Sequence, residues 1–210
     1  MSGCRKDDAS GSLSDITSQA VDFEQGEQIG NDVDNMADEA YVNGDVSARL
    51  SAPGSGNSIL SCATVTNDTI NHILTIDFGS GCVGNDGRTR SGQVIVTYNG
   101  HYFDPGFSRN VSFNNYFVDS NQVSGTRSIT NNGLNTNGNL TWTIVAQNMR
   151  ITRPNGYYHQ WNSTRTRELI EGFDPINNII ADDVYLITGS GTCSTSNGKS
   201  VTITIINPLR

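Results

Sequence analysis

The chain has 210 residues, a 35% apolar fraction and a formal net charge of −8. That length suits one large β domain or two small ones, with just enough apolar residue for a core. Residues 1–45 hold 11 of the 21 acids and two of the 13 basic residues, so the remaining body is nearly neutral, and ten of its eleven cations are arginines. An acidic arm on a neutral body excludes nucleic acid as the expected partner and disfavours adsorption to anionic lipid. No apolar run is long enough to span a bilayer as a helix.

The first stretch, residues 1–14, contains Ser2-Gly3-Cys4 followed by Arg5-Lys6-Asp7-Asp8. Two small residues before a cysteine resemble the end of a bacterial lipoprotein signal peptide. The charged residues after it resemble the tag that sends Bacteroidota lipoproteins to the outer leaflet of the outer membrane. The expectation is lipidation at Cys4, with Ala9–Ser14 as a flexible tether. This implies a lipid-anchored protein at the outer membrane or cell surface, or one facing the periplasm.

Residues 15–45 form the expected helix. Ile16, Ala20, Ile29, Val33, Met36, Ala37, Ala40 and Tyr41 recur at steps of three and four, which is one apolar stripe. Asp15 is the expected N-cap and Asn43-Gly44 the stop. Gly26 and Gly30 each cost the helix about 1 kcal/mol relative to Ala, so two pieces or a late start are expected. Asp22, Glu24, Glu27, Asp32, Asp34, Asp38 and Glu39 lie mostly off the stripe and read as a solvated face. They do not fit a calcium loop.

Residues 46–210 alternate strand and turn. Pro53–Asn57 reads as a loop, Ile59–Thr66 as a strand, and Ile73–Phe78 and Arg88–Phe103 as a long hairpin. Cys62 and Cys82 sit on neighbouring segments. A disulfide is expected there over two buried thiols, closing a loop of about 20 residues worth on the order of 3 kcal/mol. No cysteines are spaced as a zinc ligand set, and Cys193 has no obvious partner. Asp77, Asn85 and Asp86 could chelate calcium, but a turn built from Asn, Asp and Gly explains them as well.

The blocks IDFGSGC, NDGRTRSG, VIVTYNGHYFDPG, VSFNNYFV and GTRSITNNG stand in this order after the acidic helix. Together they resemble a widespread group of uncharacterised Bacteroidota, mainly flavobacterial, lipoproteins. The resemblance covers most of the chain. It implies an outer-membrane or surface lipoprotein, and further strands with another cysteine past Arg210. It carries over no activity and no functional residue.

The remaining expected elements are a turn at Asp104-Pro105-Gly106, with Val111, Phe113 and Phe117 on one face of the next strand. A return strand Val123–Thr130, a loop Asn131–Asn139 and strands Leu140–Thr152 and Tyr157–Ile170 follow. After an irregular connection over 171–181 comes a last hairpin, Val184–Thr192 and Ser200–Ile206, around Ser196-Asn197-Gly198. No crossover is helix-length, so the sheet is expected to be antiparallel. The expected fold is mainly β: a large curved meander, half-barrel-like, with the N-terminal helix packed on it as one domain over 15–210. A β-sandwich is the alternative.

Candidate ligand-binding residues are Arg88, Arg90, Arg165 and Arg167, whose spacing of two puts each pair on one side of a strand. The expected use of these arginines is nevertheless pairing with body acids or with the acidic helix. Tyr157, His159 and Trp161, perhaps with Tyr102 and Phe103, could stack a sugar, although such rings are more often core. His72, His101 and His159 show no metal-ligand spacing, and no metal or cofactor is expected. Glu168 with Glu171, or Asp182 with Asp183, could be drawn as a glycosidase pair, but nothing sets their separation. No G-x-S-x-G, P-loop or H-E-x-x-H occurs. The expected function is that of a non-catalytic envelope lipoprotein with a binding or structural role. The alternatives are carriage of an apolar ligand (lipid or lipoprotein) between helix and sheet, and glycan binding. An envelope protein is a further candidate partner, and the sequence leaves oligomeric state open.

Overall fold

A computed structural model describes residues 13–44, 58–172 and 183–210. Cys4, residues 9–12 of the expected tether, the loop Pro53–Asn57 and the connection around Asp174-Pro175 lie outside the described residues, while Leu13 and Ser14, expected as the end of the tether, belong to the helix. Among the described residues one helix, α1 (Leu13–Gly44), precedes ten strands. These are β1 (Thr64–Asp68), β2 (Ile73–Asp77), β3 (Cys82–Val83), β4 (Thr89–Tyr98) and β5 (Ser108–Val118). They continue with β6 (Asn121–Leu134), β7 (Leu140–Thr152), β8 (Tyr158–Glu171), β9 (Val184–Thr195) and β10 (Ser200–Leu209). All belong to one antiparallel sheet in the order β1-β2-β4-β5-β6-β7-β8-β9-β10, with β3 beside β4. The sheet is a meander that does not close into a barrel, and the described residues hold no second sheet of a sandwich.

The sheet curls around α1. The helix touches β7, β8, β9 and β10 toward one rim and β1 and β2 at the other. Phe23, Ile29, Val33, Met36, Ala37 and Ala40 of α1 share a buried cluster with Leu74, Ile76, Val94, Val96, Val111, Val123, Met149 and Trp161 of the sheet. A second cluster on the same strands holds Ile129, Leu140, Trp142, Ile144 and Leu169, packed by Tyr102, Phe103 and Tyr185. No helix among the described residues is long and apolar enough to cross a membrane.

Curvature comes from bulges. Register shifts lie between Ser91 and Gln93, Ser124 and Thr126, and Ala146 and Met149. Each inserts one residue, bends the strand and increases its twist. Gly92 (φ 77°) and Gly125 (φ 106°) sit at two of them, opposite Asn115 and Asn148, which also have positive φ. A Cβ on Gly92 would lie 1.9 Å from the Asn115 carbonyl oxygen, and one on Gly125 2.5 Å from that of Asn148. Only glycine lets the neighbouring strands approach there.

Several expectations are corrected. Residues 59–62 are turns, not strand: the Ala63 amide bonds back to the Leu60 carbonyl at 2.9 Å, and Leu60 fills the core from the turn. The long return strand ends at Tyr98, because residues 101–107 fold over the second cluster. The bulge at Asn115 reverses the alternation of β5, so Tyr116 and Val118 are buried instead of Phe117. β6 runs on to Leu134, and the Asn side chain of Asn135 closes a tight turn by accepting from the amides of Asn137 and Asn139. The helix is one piece and begins before Asp15, which lies inside its first turn rather than at the cap. The Cys62–Cys82 disulfide is formed, with Cα atoms 5.9 Å apart, while Cys193 is a buried free thiol.

Gly92→Ala forces a Cβ into backbone, whereas Gly156→Ala, also at positive φ, meets nothing within 4 Å. Urea denaturation is expected to show a loss of roughly 3 kcal/mol or more for the first and about 1 kcal/mol for the second.

Candidate functional site

The feature that sets this sheet apart is a row of arginines on its concave face. Arg90, Arg109, Arg127 and Arg165 are buried there, one each on β4, β5, β6 and β8. Arg109 and Arg165 stand in one row of the ladder, with Ile129 and Ile144 between them. Each meets a carboxylate of α1.

Helix geometry explains which acids do this. At 100° per residue, Asp32 and Asp34 border the apolar stripe on opposite sides of Val33, Glu39 follows Asp32, and Glu27 and Asp38 follow Asp34. Asp32 receives Arg90 Nη2 at 2.9 Å and Arg88 Nη1 at 3.3 Å. Asp34 receives Arg127 Nε at 2.7 Å and lies 3.4 Å from Arg109 Nη2. Arg109 also bonds Asp38, and Arg165 lies 3.6 Å from Glu27, which accepts from Ser163 as well. Glu39 accepts from the Ser58 hydroxyl and the Ile59 amide. The solvated acidic face expected from the sequence is therefore corrected: Asp22 and Asp34 are buried, and most of the other acids grip the sheet.

The two helix glycines have the same cause. A Cβ on Gly26 would meet the Trp161 ring at 2.8 Å, and one on Gly30 would meet Arg127 Nη1 at 2.6 Å. Their cost in helix propensity is offset by close approach to the sheet.

Near the N-terminal half of α1, Asp22 accepts from the Tyr157 hydroxyl at 2.7 Å and from Arg153 Nη2 at 3.2 Å. His159 Nδ1 is 3.6 Å from the same carboxylate. His159 is fully buried, and neither ring nitrogen has a hydrogen-bond partner among the described residues. Burial depresses its pKa, against the pull of Asp22 and with the push of Arg153. Burial also pushes the nearby Cys193 thiol up to about 12, with Asp22 adding to it, and the Tyr157 hydroxyl up to about 12. A thiol held protonated is a packing group, not a nucleophile. Burial works against the charge of Arg90 and Arg109, yet the carboxylates beside them raise both pKa values above the ordinary value.

The structure thus brings Arg88 and Arg90 together on Asp32. Arg165 turns to Glu27, while Arg167 points to the Tyr102 hydroxyl at 3.4 Å and stacks over Tyr185. His159 and Trp161 are fully buried, so Tyr157, His159 and Trp161 do not present a row of rings to solvent, and no sugar platform stands there. Tyr102 stacks on Trp142 instead of joining them. Asp77 accepts from the Gly79 amide and Gln93, and Asp86 from Arg90, so the suspected calcium loop is held by its own bonds. No cluster of three or more His, Cys, Asp or Glu among the described residues could hold a metal ion. Glu168 is tied by the Asn135 and Asn139 side-chain amides.

Sequence reasoning missed Arg109, Arg127, Asp22 and Asp34. Arg109 and Arg127 are single arginines on their strands, with no pair to draw notice. The available signal was the coincidence of an acid on each border of the helix stripe with arginines on inward-facing strand positions.

A cavity of about 20 Å³ lies beside the C-terminal half of α1, lined in part by Tyr41, Tyr98, Tyr102, Phe107 and Arg109. That is room for about one water. This cavity is too small for an apolar ligand while α1 is docked.

No family model, no curated protein and no solved structure matches the chain.

Two outcomes follow. Asp34→Asn or Arg127→Met alone leaves a buried charge uncompensated and is expected to cost about 3 kcal/mol in urea denaturation, with the double variant losing less than the sum. His159 is held neutral, so its contribution to stability is present above the unfolded value near 6.5 and is lost as pH falls through the lower folded value. His159→Phe should flatten the fall in thermal midpoint between about pH 7 and 5 relative to the parent.

Proposed function

We propose that the chain is a non-catalytic lipoprotein of the bacterial cell envelope, held at the outer membrane by lipid on Cys4 and displaying its sheet in a binding or structural role. The observation that carries this reading is Ser2-Gly3-Cys4 followed directly by Arg5-Lys6-Asp7-Asp8. The resemblance of the five sequence blocks to Bacteroidota lipoproteins supports it. Eight residues separate Cys4 from Leu13, where α1 begins, a reach of roughly 30 Å if extended.

The fold suits display. The concave face is filled by the chain's own helix and its four buried arginines are matched by carboxylates, so the surface on offer is the convex face and the rims. The convex face carries uncharged side chains such as Thr97, Asn110, Ser128, Thr164, Ser190 and Thr204, aligned in one row across the strands. The other two readings, a carrier and a glycan binder, have no comparable support.

Metabolic labelling with a palmitate analogue, in cells expressing the full gene product, tests the reading. The parent protein should be labelled and Cys4→Ser should not. Equal labelling of both would sink the proposal.

A further inference from the structure

We propose that Asp22 is a proton-operated exchange point: when His159 takes up a proton it takes over the carboxylate oxygen that Arg153 holds, and Arg153 is released to solvent. A proton gained inside the fold is thereby read out as a free cation at its surface. The exchange involves this end of the molecule alone and holds whether or not Cys4 carries lipid.

Two donors are aimed at one oxygen. Arg153 Nη2 lies 3.2 Å from Asp22 Oδ1, and His159 Nδ1 lies 3.6 Å from the same atom. The first is within hydrogen-bond range and the second just outside it. The other oxygen, Oδ2, accepts from the Tyr157 hydroxyl at 2.7 Å. With a neutral imidazole the guanidinium holds Oδ1, because it is the charged donor. An imidazolium reverses the order. His159 is fully buried and Asp22 is 5% exposed, whereas the Arg153 side chain is 42% exposed. A charge pair shielded from water is the stronger one, and water solvates the guanidinium that leaves.

The surroundings offer the imidazolium no other acceptor of equal strength. Among the described residues, Asp22 is the one carboxylate and Arg153 the one cation that act on the ring. Tyr157, in the same turn as Arg153, already donates to Asp22. Cys193 on β9 is held protonated by burial, and Lys199 in the next turn is exposed. The residues opposite His159 in the ladder are Ile151 and Thr195, both uncharged, and Trp161 follows on its own strand.

The movement required is small. The Arg153 backbone is pinned in its turn, its amide donating to the Tyr157 carbonyl at 2.8 Å. Its guanidinium lies 4.9 Å from the Tyr157 ring centroid, so the side chain leaves Asp22 while still resting on that ring, with its head in water. A shift of roughly half an ångström brings His159 Nδ1 into hydrogen-bond range. Helix and sheet stay where they are. Burial and Arg153 both oppose the proton, so the exchange falls below the ordinary imidazole value of about 6.5.

Proton NMR of the His159 Cε1 signal, followed downward from about pH 8 in the full chain carrying Cys4→Ser, tests the exchange. The parent should titrate below about 6.5. Arg153→Gln removes the rival cation, and His159 should then titrate about one pH unit higher, a tenfold gain in proton affinity. Arg153→Lys keeps a rival charge and should titrate near the parent. Arg153 is exposed, so both variants should fold as the parent does. A crystal structure at a pH below the parent's midpoint should place His159 Nδ1 within about 3 Å of Asp22 Oδ1, with Arg153 no longer on that carboxylate. A His159 that stays neutral until the protein unfolds would overturn the proposal. So would a titration that Arg153→Gln does not raise, one that Arg153→Lys raises just as far, or an acid structure with Arg153 still on Asp22.

Discussion

Four guanidinium groups buried under an acidic helix are the constraint on which this structure rests. A sheet with Arg90, Arg109, Arg127 and Arg165 on its concave face cannot bury that face against lipid-like side chains alone, because each unpaired cation would cost several kcal/mol. The helix has the converse problem, with Asp22 and Asp34 buried on its inner surface. Each element supplies the counter-charges of the other. Such pairs contribute little net stability over apolar replacements, but they penalise any other docking heavily. Asp34 shared between Arg109 and Arg127 fixes the helix along its axis. Trp161 on Gly26 and Arg127 on Gly30 fix its depth.

The trough that receives the helix depends on backbone chemistry of a different kind. A sheet of ten strands with regular alternation would stay a gently twisted open layer. Here the bulges at Gly92, Gly125 and their partners Asn115 and Asn148 bend neighbouring strands together. The bend lets helix contacts come from both rims. Curvature and charge pairing are therefore linked: the arginines from β4 to β8 converge on one helix only because the strands that carry them are bent.

Much of the architecture was legible as period-two alternation. Leu140–Thr152 was readable to the residue because Trp142, Ile144 and Ala146 alternate with Thr141, Thr143 and Val145 until the bulge. The helix stripe and the Cys62–Cys82 bridge were equally plain. What alternation hides is a change of parity. Tyr116 and Phe117 exchange roles because Asn115 adds one residue, and nothing in the local composition marks it. Polar strand residues misled in the same way: Asn131–Leu134 reads as loop by composition, yet Asn131 is buried and bonds the Tyr102 carbonyl. The acids of α1 were read as solvated because a carboxylate is assigned to water by default. Their true surroundings depend on arginines that lie 56 or more residues away in sequence.

α1 is a core element and not an appendage, despite its acidity, its two glycines and its place at the N-terminal end of the fold. Native-state hydrogen exchange on the unmodified chain tests that most directly. If charge-paired docking holds helix and sheet together, amides from Asp22 to Ala40 should be protected to the same opening free energy as those of β6, β7 and β8. Fast exchange along the helix, with the sheet still fully protected, would contradict it.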